Sequence, residues 1–154
     1  MVSLLGVQRV LLCVFVLSCS CSDVQGAECN MTGVWINTLG SVLTLHADGG
    51  SLSGSLHTTV EQNPGAAGGD MTGKLMGVLG KGKQPTFAMS VRWHKGSVTA
   101  WVGQCFIKAG CPILRTVWLL RSEETSEGNN WKATRVGEDI FYAQKKCDNG
   151  GNEE

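Results

Sequence analysis

Residues 86–93 read Thr-Phe-Ala-Met-Ser-Val-Arg-Trp, and the large apolar side chains, Phe87, Met89, Val91 and Trp93, fall at every second position. A period of two sends alternate side chains to opposite faces of a β-strand, so this segment reads as a strand with one buried face. The period continues in both directions. Upstream it runs through Met71–Leu79, Leu52–Val60, Val42–His46 and Val34–Asn37. In Leu52–Val60 one face carries Leu52, Gly54, Leu56, Thr58 and Val60; in Val42–His46 it carries Leu43 and Leu45. Downstream it runs through Val98–Ile107, Ile113–Arg121 and Trp131–Ala143. Asp48-Gly49-Gly50 is a strong hairpin signal. Further turns stand at Leu39-Gly40, residues 80–83, Lys95-Gly96 and Ala109-Gly110. Residues 61–70, EQNPGAAGGD, are too polar and glycine-rich for an element and read as a loop. Residues 122–130 form a charged connection with room for one helical turn. Eight short, evenly spaced strands with no long helix predict an all-β fold, an eight-stranded antiparallel up-and-down meander closed into a β-barrel. Closure removes edge strands, and a barrel of this size has room for one small ligand.

Composition agrees with many short strands and tight turns. Among 154 residues there are 21 Gly and only 3 Pro. The 13 basic and 13 acidic residues cancel, which argues against nucleic acid as a partner, since phosphate binding needs clustered Lys and Arg. Lys81/Lys83, Lys145/Lys146 and Arg121 are scattered and read as solvated surface.

The N-terminal segment reads as a targeting signal. Arg9 is the only charge before Asp23, and residues 10–17 (VLLCVFVL) are apolar but far short of the roughly 20 residues needed to span a bilayer. A signal peptide ending near Gly26 is expected, hence a secreted, extracellular protein with no membrane partner. The barrel domain then covers 27–144, with a flexible tail at 145–154. Loss of the signal removes Cys13, Cys19 and Cys21 and leaves Cys29, Cys105, Cys111 and Cys147, an even count that implies disulfides with three possible pairings. None forms a C-x-x-C, so no metal site is expected. Asn30-Met31-Thr32 is a sequon for N-glycosylation at Asn30.

Little points to catalysis. His46, His57 and His94 lie in unrelated contexts, and no G-x-S-x-G, H-E-x-x-H or phosphate loop occurs, so no enzyme is expected. Five tryptophans, Trp35, Trp93, Trp101, Trp118 and Trp131, are many for so small a barrel. Any one Trp most simply fills core. Interleaved with Thr, Ser and Asn, together they fit an apolar pocket with a few placed polar groups.

Four ordered motifs carry a family resemblance. They are Cys29-x-x-Thr32-Gly33-x-Trp35-x-Asn37-x-Leu39-Gly40-Ser41; Gln84-Pro85-Thr86-Phe87 with Val91-x-Trp93; Gly103-Gln104-Cys105-Phe106-Ile107 with Thr116-x-Trp118-Leu119-Leu120-Arg121-Ser122; and residues 131–137, WKATRVG. Across about residues 29–144 the chain resembles the avidin family. The resemblance implies high-affinity binding of biotin as ligand, with no cofactor and no catalysis, and withdrawal of biotin from microbes as a use. It implies that Asn37 and Ser41 hydrogen-bond the ureido oxygen, that Asp139 and Thr58 take the ureido N–H groups, and that Thr99 meets the ring sulfur. Trp93, Trp101, Trp118 and Leu120 would wall the bicyclic ring and the valeryl chain. Ser97 would bind the carboxylate, helped by the backbone of the 61–70 loop. It implies a homotetramer in which Trp131 reaches into a neighbour's pocket, and a Cys29–Cys105 disulfide.

There are departures. The family's third ureido-oxygen donor is a Tyr on the third strand, and the ungapped match puts Leu56 there. His57, one residue on, would face inward as a substitute only after a bulge or register slip. The loop after Trp93 is one residue short, and Glu138 stands where an apolar subunit contact is usual. Cys111 and Cys147 have no precedent in the motifs. Alternating strand direction places both near the end opposite the 122–130 connection, which favours a Cys111–Cys147 bridge over an intermolecular bond or free thiols. Two other readings compete. A lipocalin-like carrier of another small apolar ligand shares the barrel and G-x-W but would carry a C-terminal helix, which this tail cannot form. A structural glycoprotein that has lost its ligand would draw its support from Leu56.

Overall fold

Local turn chemistry sets the strand order. Gly49 and Gly50 have φ of 54° and 94°, and Asp48 pairs with Ser51 across them. This is the two-residue turn with both central φ positive, whose twist matches that of the flanking strands. Ala109 and Gly110, with φ of 50° and 78°, close the Lys108–Cys111 pair in the same way. In this computed structural model, which describes residues 27–61 and 63–145, the strands are β1 Gly33–Asn37, β2 Val42–Asp48, β3 Ser51–His57, β4 Thr72–Leu79, β5 Thr86–Arg92, β6 Val98–Lys108, β7 Cys111–Arg121 and β8 Thr134–Ala143. Each pairs antiparallel with the next, and β1 pairs with β8 (Asn37 opposite Phe141), so the sheet is a closed eight-stranded up-and-down barrel. The expected signal peptide, the tail from residue 146 and Cys147 lie outside the described residues.

The period-two reading puts the right side chains inside. Phe87, Met89, Val91 and Trp93 are all buried, as are Leu43, Leu45, Leu52 and Leu56. Trp35 is 1% exposed, and its indole N–H donates to the Met31 carbonyl at 3.1 Å, so its one polar atom costs nothing by burial. The turns at 48–51, 80–85 and 109–110 share one end of the barrel. There the N-terminal residues pack across: Met31 is buried, the Cys29 amide donates to the Lys83 carbonyl, and Cys29 forms a disulfide with Cys105. That end is closed.

Two boundaries differ from the sequence reading by three residues, the others by two or fewer. The third strand stops at His57 rather than Val60, because the Thr58 amide leaves the ladder to donate to the Met71 carbonyl and the chain turns into the 58–71 loop. The last strand begins at Thr134. Trp131 lies instead in a short 3-10 helix, Glu127–Lys132, whose polar sequence EGNNWK buries none of its residues.

Candidate ligand-binding site

The connections at 38–41, 58–71, 93–97 and 122–133 share the other end, which is open. Below them lies a cavity of about 480 Å³. Its deep part is lined by Asn37, Ser41, Leu56, Thr58, Trp93, Thr99, Trp101, Trp118, Asp139 and Phe141, and its mouth by Leu120, Ser97, Ser122, Glu61, Lys95, Glu123 and Arg135, among others. Four of the polar residues, Asn37, Ser41, Thr58 and Thr99, are buried. A cavity of this size, mostly apolar with a few converging polar groups, fits one small molecule.

The polar side chains are held by their own hydrogen bonds, and the valences left over define what they offer. Asn37 ends β1, and its Oδ1 accepts from the amides of Leu39 (3.0 Å) and Ser41 (2.8 Å), which closes the β1–β2 turn. Its Nδ2 donates one hydrogen to Asp139 Oδ1 at 3.2 Å and keeps a second. Ser41 Oγ accepts from the Thr59 amide at 3.2 Å, and Thr59 spends its own hydroxyl proton on the Leu39 carbonyl. With the Thr59 proton so used, Ser41 is the donor in the 3.3 Å Ser41 Oγ–Thr59 Oγ1 bond, so a ligand acceptor would have to draw the Ser41 proton away from Thr59. Thr58 Oγ1 donates to the Val60 carbonyl at 2.8 Å and accepts from the Val60 amide at 3.2 Å, which leaves one lone pair as an acceptor. Thr99 accepts from the Trp93 indole N–H at 2.8 Å and keeps its proton. Asp139 takes a second donor, the Trp101 indole N–H, on Oδ2 at 3.1 Å. Burial raises the Asp139 carboxyl above its ordinary pKa of 3.8, and the bonds from Trp101 and Asn37 work against that rise.

The arrangement is a pair of donors (Asn37, Ser41) beside a pair of acceptors (Asp139, Thr58), under a wall of Trp93, Trp101 and Trp118. Trp118 owes its place to Gly137, its cross-strand neighbour: a Cβ there would lie 2.4 Å from Trp118 Cζ2, so only glycine leaves room for the indole. The family model of the avidins, described as Avidin family, matches residues 25–144.

The chain belongs to the avidin family.

It is 38% identical over 137 residues to avidin-related protein 4/5 of Gallus gallus, covering 86% of this chain and 89% of that protein. To avidin of Gallus gallus it is 36% identical over 136 residues, covering 86% and 90%. Among solved structures, the biotin binding protein from chicken superposes with a TM-score of 0.71 at 40% identity, over 77% of this chain and 98% of that one. Xenavidin superposes with a TM-score of 0.70 at 37% identity, over 75% and 98%.

Ten of the twelve residues singled out as ligand-binding line the avidin-like cavity: Asn37, Ser41, Thr58, Trp93, Ser97, Thr99, Trp101, Trp118, Leu120 and Asp139. His57 does not. The β3 ladder runs without a bulge, with Leu56 opposite Leu43 and Gly73, so parity sends Leu56 inward and His57 outward. His57 is exposed, and its Nδ1 lies 3.1 Å from the Asp70 carbonyl and 3.2 Å from Thr72 Oγ1. No histidine replaces the missing Tyr. Trp131 is 81% exposed and lines no part of its own barrel's cavity. The 61–70 loop also departs from expectation. The amides of Gly65 and Ala67 donate to the Glu61 carboxylate, Ala66 to the Asn63 carbonyl and Gly68 to the Gly65 carbonyl, so these donors are already committed.

The sequence reading missed Phe141, Arg135 and Glu61. The first two carried a signal: 135, 137, 139 and 141 share one face of β8, so placing Asp139 inward places Arg135 and Phe141 inward with it. Glu61 carried none, because a loop has no period to read.

Proposed function

We propose that this chain is a secreted, non-catalytic protein that binds biotin in the open end of its barrel. The observation that carries the reading is the set of donors and acceptors that converge at the bottom of the tryptophan-lined cavity. A cyclic urea presents one strong acceptor flanked by two N–H donors. The spare Nδ2 hydrogen of Asn37 and the hydroxyl of Ser41 answer the oxygen; Asp139 and Thr58 answer the N–H groups. The free proton of Thr99 faces the ring sulfur, and Trp93, Trp101, Trp118 and Leu120 cover the apolar ring and chain. Leu56 removes one donor to the oxygen, and two remain. Groups fixed in advance on rigid strands lower the ordering cost of binding. Family membership argues against the lipocalin-like alternative. The solved chicken homologue is itself described as a biotin binding protein.

Titration with biotin is expected to quench tryptophan fluorescence and saturate at one ligand per chain, since three indoles line the cavity. Calorimetry with no heat and no saturation at micromolar biotin would sink the reading and favour a barrel that has lost its ligand.

The same reading makes the protein a homotetramer in which Trp131 completes a neighbour's pocket. Its support is the outer surface. Val102, Val117, Leu119, Val136 and Tyr142, on β6, β7 and β8, are exposed, and Trp131 projects beside the mouth. Apolar surface on this scale is usually covered. Glu138 lies opposite Val117 on that face and sets a charge within it. Trp131→Lys is expected to lower biotin affinity at least about tenfold and to weaken assembly, because buried interface tryptophans are frequent hot spots. Light scattering that reports a wild-type monomer of full affinity would contradict this.

An exposed Asn30 fits glycan attachment, and a Cys111–Cys147 bridge would tie the tail to the closed end. Withdrawal of biotin from microbes is the use that the family resemblance suggests.

A further inference from the structure

On the outer wall of the barrel a second depression, of about 680 Å³, lies beside the ends of β4 and β5 nearest the open mouth. The ladder of these two strands pairs Leu75 with Val91, and both are buried. One step towards the mouth, the same antiparallel register sets Lys74 opposite Arg92. Parity turns both outward, and both are exposed. Two like charges directly opposite on one face of an antiparallel pair repel, and the pairing is destabilising. Among the described residues neither side chain has a hydrogen bond or an ion pair to offset that repulsion; the ion pair present there is Lys132–Glu124.

Both cations line the depression, and His94 lines it beyond them. Gly68, Gly69 and Gly96 line it without side chains, and a Cβ at Gly69 would meet nothing within 4 Å, so there is open space over this backbone. The one carboxylate of the lining, Asp70, has its Oδ1 engaged by the Thr72 amide at 3.2 Å and pairs with neither cation. The whole chain has 13 basic and 13 acidic residues, so two cations to one carboxylate is a local excess and not a consequence of composition. We infer that this groove is a binding site for a phosphate, as the free ion or as the monoester of a small alcohol such as a sugar. Arg92 offers a planar fork that matches two phosphate oxygens, and Lys74 brings a point charge from the facing strand. An anion between them turns one repulsion into two attractions. The volume exceeds what the ion needs, so the carbon body of an ester has room along the glycines. Ala67 and Trp93 line this groove and the barrel cavity alike and stand between the two. The inference does not rest on the biotin reading.

Calorimetric titration with inorganic phosphate and with glucose 6-phosphate tests it, at low ionic strength matched with chloride, with glucose as the neutral control. At least one of the two phosphates is expected to saturate one site per chain with a Kd of about 1 mM or tighter, and glucose to give no saturable heat. A tighter sugar phosphate identifies the ester as the ligand, and equal affinities identify the free ion; either result supports the site. Lys74→Gln and Arg92→Gln should each weaken binding by about tenfold, and Arg92→Lys by less than Arg92→Gln, because it keeps the charge and loses only the fork. A second measurement reads the two cations without any ligand. Lys74→Gln relieves the repulsion and should raise the thermal midpoint by about 1–3 °C in the absence of phosphate. No saturable heat with either phosphate, or equal binding by the wild type and the Lys74→Gln/Arg92→Gln double variant, overturns the proposal. So does a Lys74→Gln midpoint at or below that of the wild type, since the two cations then impose no strain for an anion to relieve.

Discussion

Asp139→Ala is expected to lower biotin affinity by about two to three orders of magnitude, and Thr99→Ala by about tenfold. The difference follows from what each deletion leaves behind. Asp139 accepts from Asn37 Nδ2 and from the Trp101 indole N–H while facing the cavity. Its loss removes a charge-assisted acceptor for a ligand N–H and orphans two donors in a half-buried site, and bonds to charged groups are worth roughly 1.5–3 kcal/mol each. Asn37, released from Asp139, also loses the contact that aims its second hydrogen at the ligand oxygen. Thr99 offers the ligand only a hydroxyl-to-sulfur contact, although its loss also orphans the Trp93 N–H. Competition binding on the two variants checks the order, and equal losses would contradict it. The pH dependence has a definite sign. The accepting form of Asp139 is the carboxylate, and burial raises its pKa above 3.8. Affinity through this group therefore falls as the pH drops, beginning above the pH at which an exposed aspartate would titrate. In the ligand-free barrel the same shift acts on stability. The folded carboxyl holds its proton more tightly than the unfolded one, so the charged form costs stability above the folded pKa. That cost shrinks as pH falls through the folded pKa and is gone below 3.8.

Gly54→Ala is expected to destabilise the barrel by about 3–5 kcal/mol, seen as a fall in thermal midpoint of roughly 10 °C or more. Gly54 sits mid-strand in β3, between Leu45 of β2 and Leu75 of β4. Its φ is +153°, and a Cβ there would lie 1.9 Å from the Thr44 carbonyl oxygen and 2.9 Å from its carbon. The obstacle is backbone, held on both sides by the ladder of a closed sheet, so no side-chain rotation relieves it. Gly69→Ala is the control: a Cβ at that position meets nothing within 4 Å, and the expected change is within about 0.5 kcal/mol. Equal melting temperatures for the two variants would show that β2 and β3 can part at Gly54 without loss.

These two positions also mark how far the sequence could be read. Strand parity is local: alternate residues of an extended chain face opposite ways whatever lies around them. Parity alone therefore put Phe87, Met89, Val91 and Trp93 on one face and turned His57 away once Leu56 pointed in, while the turn signal at Asp48-Gly49-Gly50 marked the hairpin across which Asp48 pairs with Ser51. The avidin resemblance added the roles expected of Asn37, Thr58 and Asp139. The sequence reading carried β3 to Val60 and began β8 at Trp131, three residues too far in each case, because loop backbone answers to contacts distant in the chain. Thr58 leaves the ladder for the Met71 carbonyl, and Trp131 sits in a 3-10 turn instead of the strand expected over Trp131–Ala143. What only the tertiary structure decided is convergence. Asn37, Trp101 and Asp139 stand on β1, β6 and β8, and they meet because β8 closes back on β1 with Asn37 opposite Phe141. The Glu61 carboxylate likewise fills amides whose positions depend on Lys95 holding the loop from the next connection. A period of two says which face a side chain takes, but the register of closure and the folding of a loop on itself set which side chains share a cavity and which hydrogen bonds are left to give.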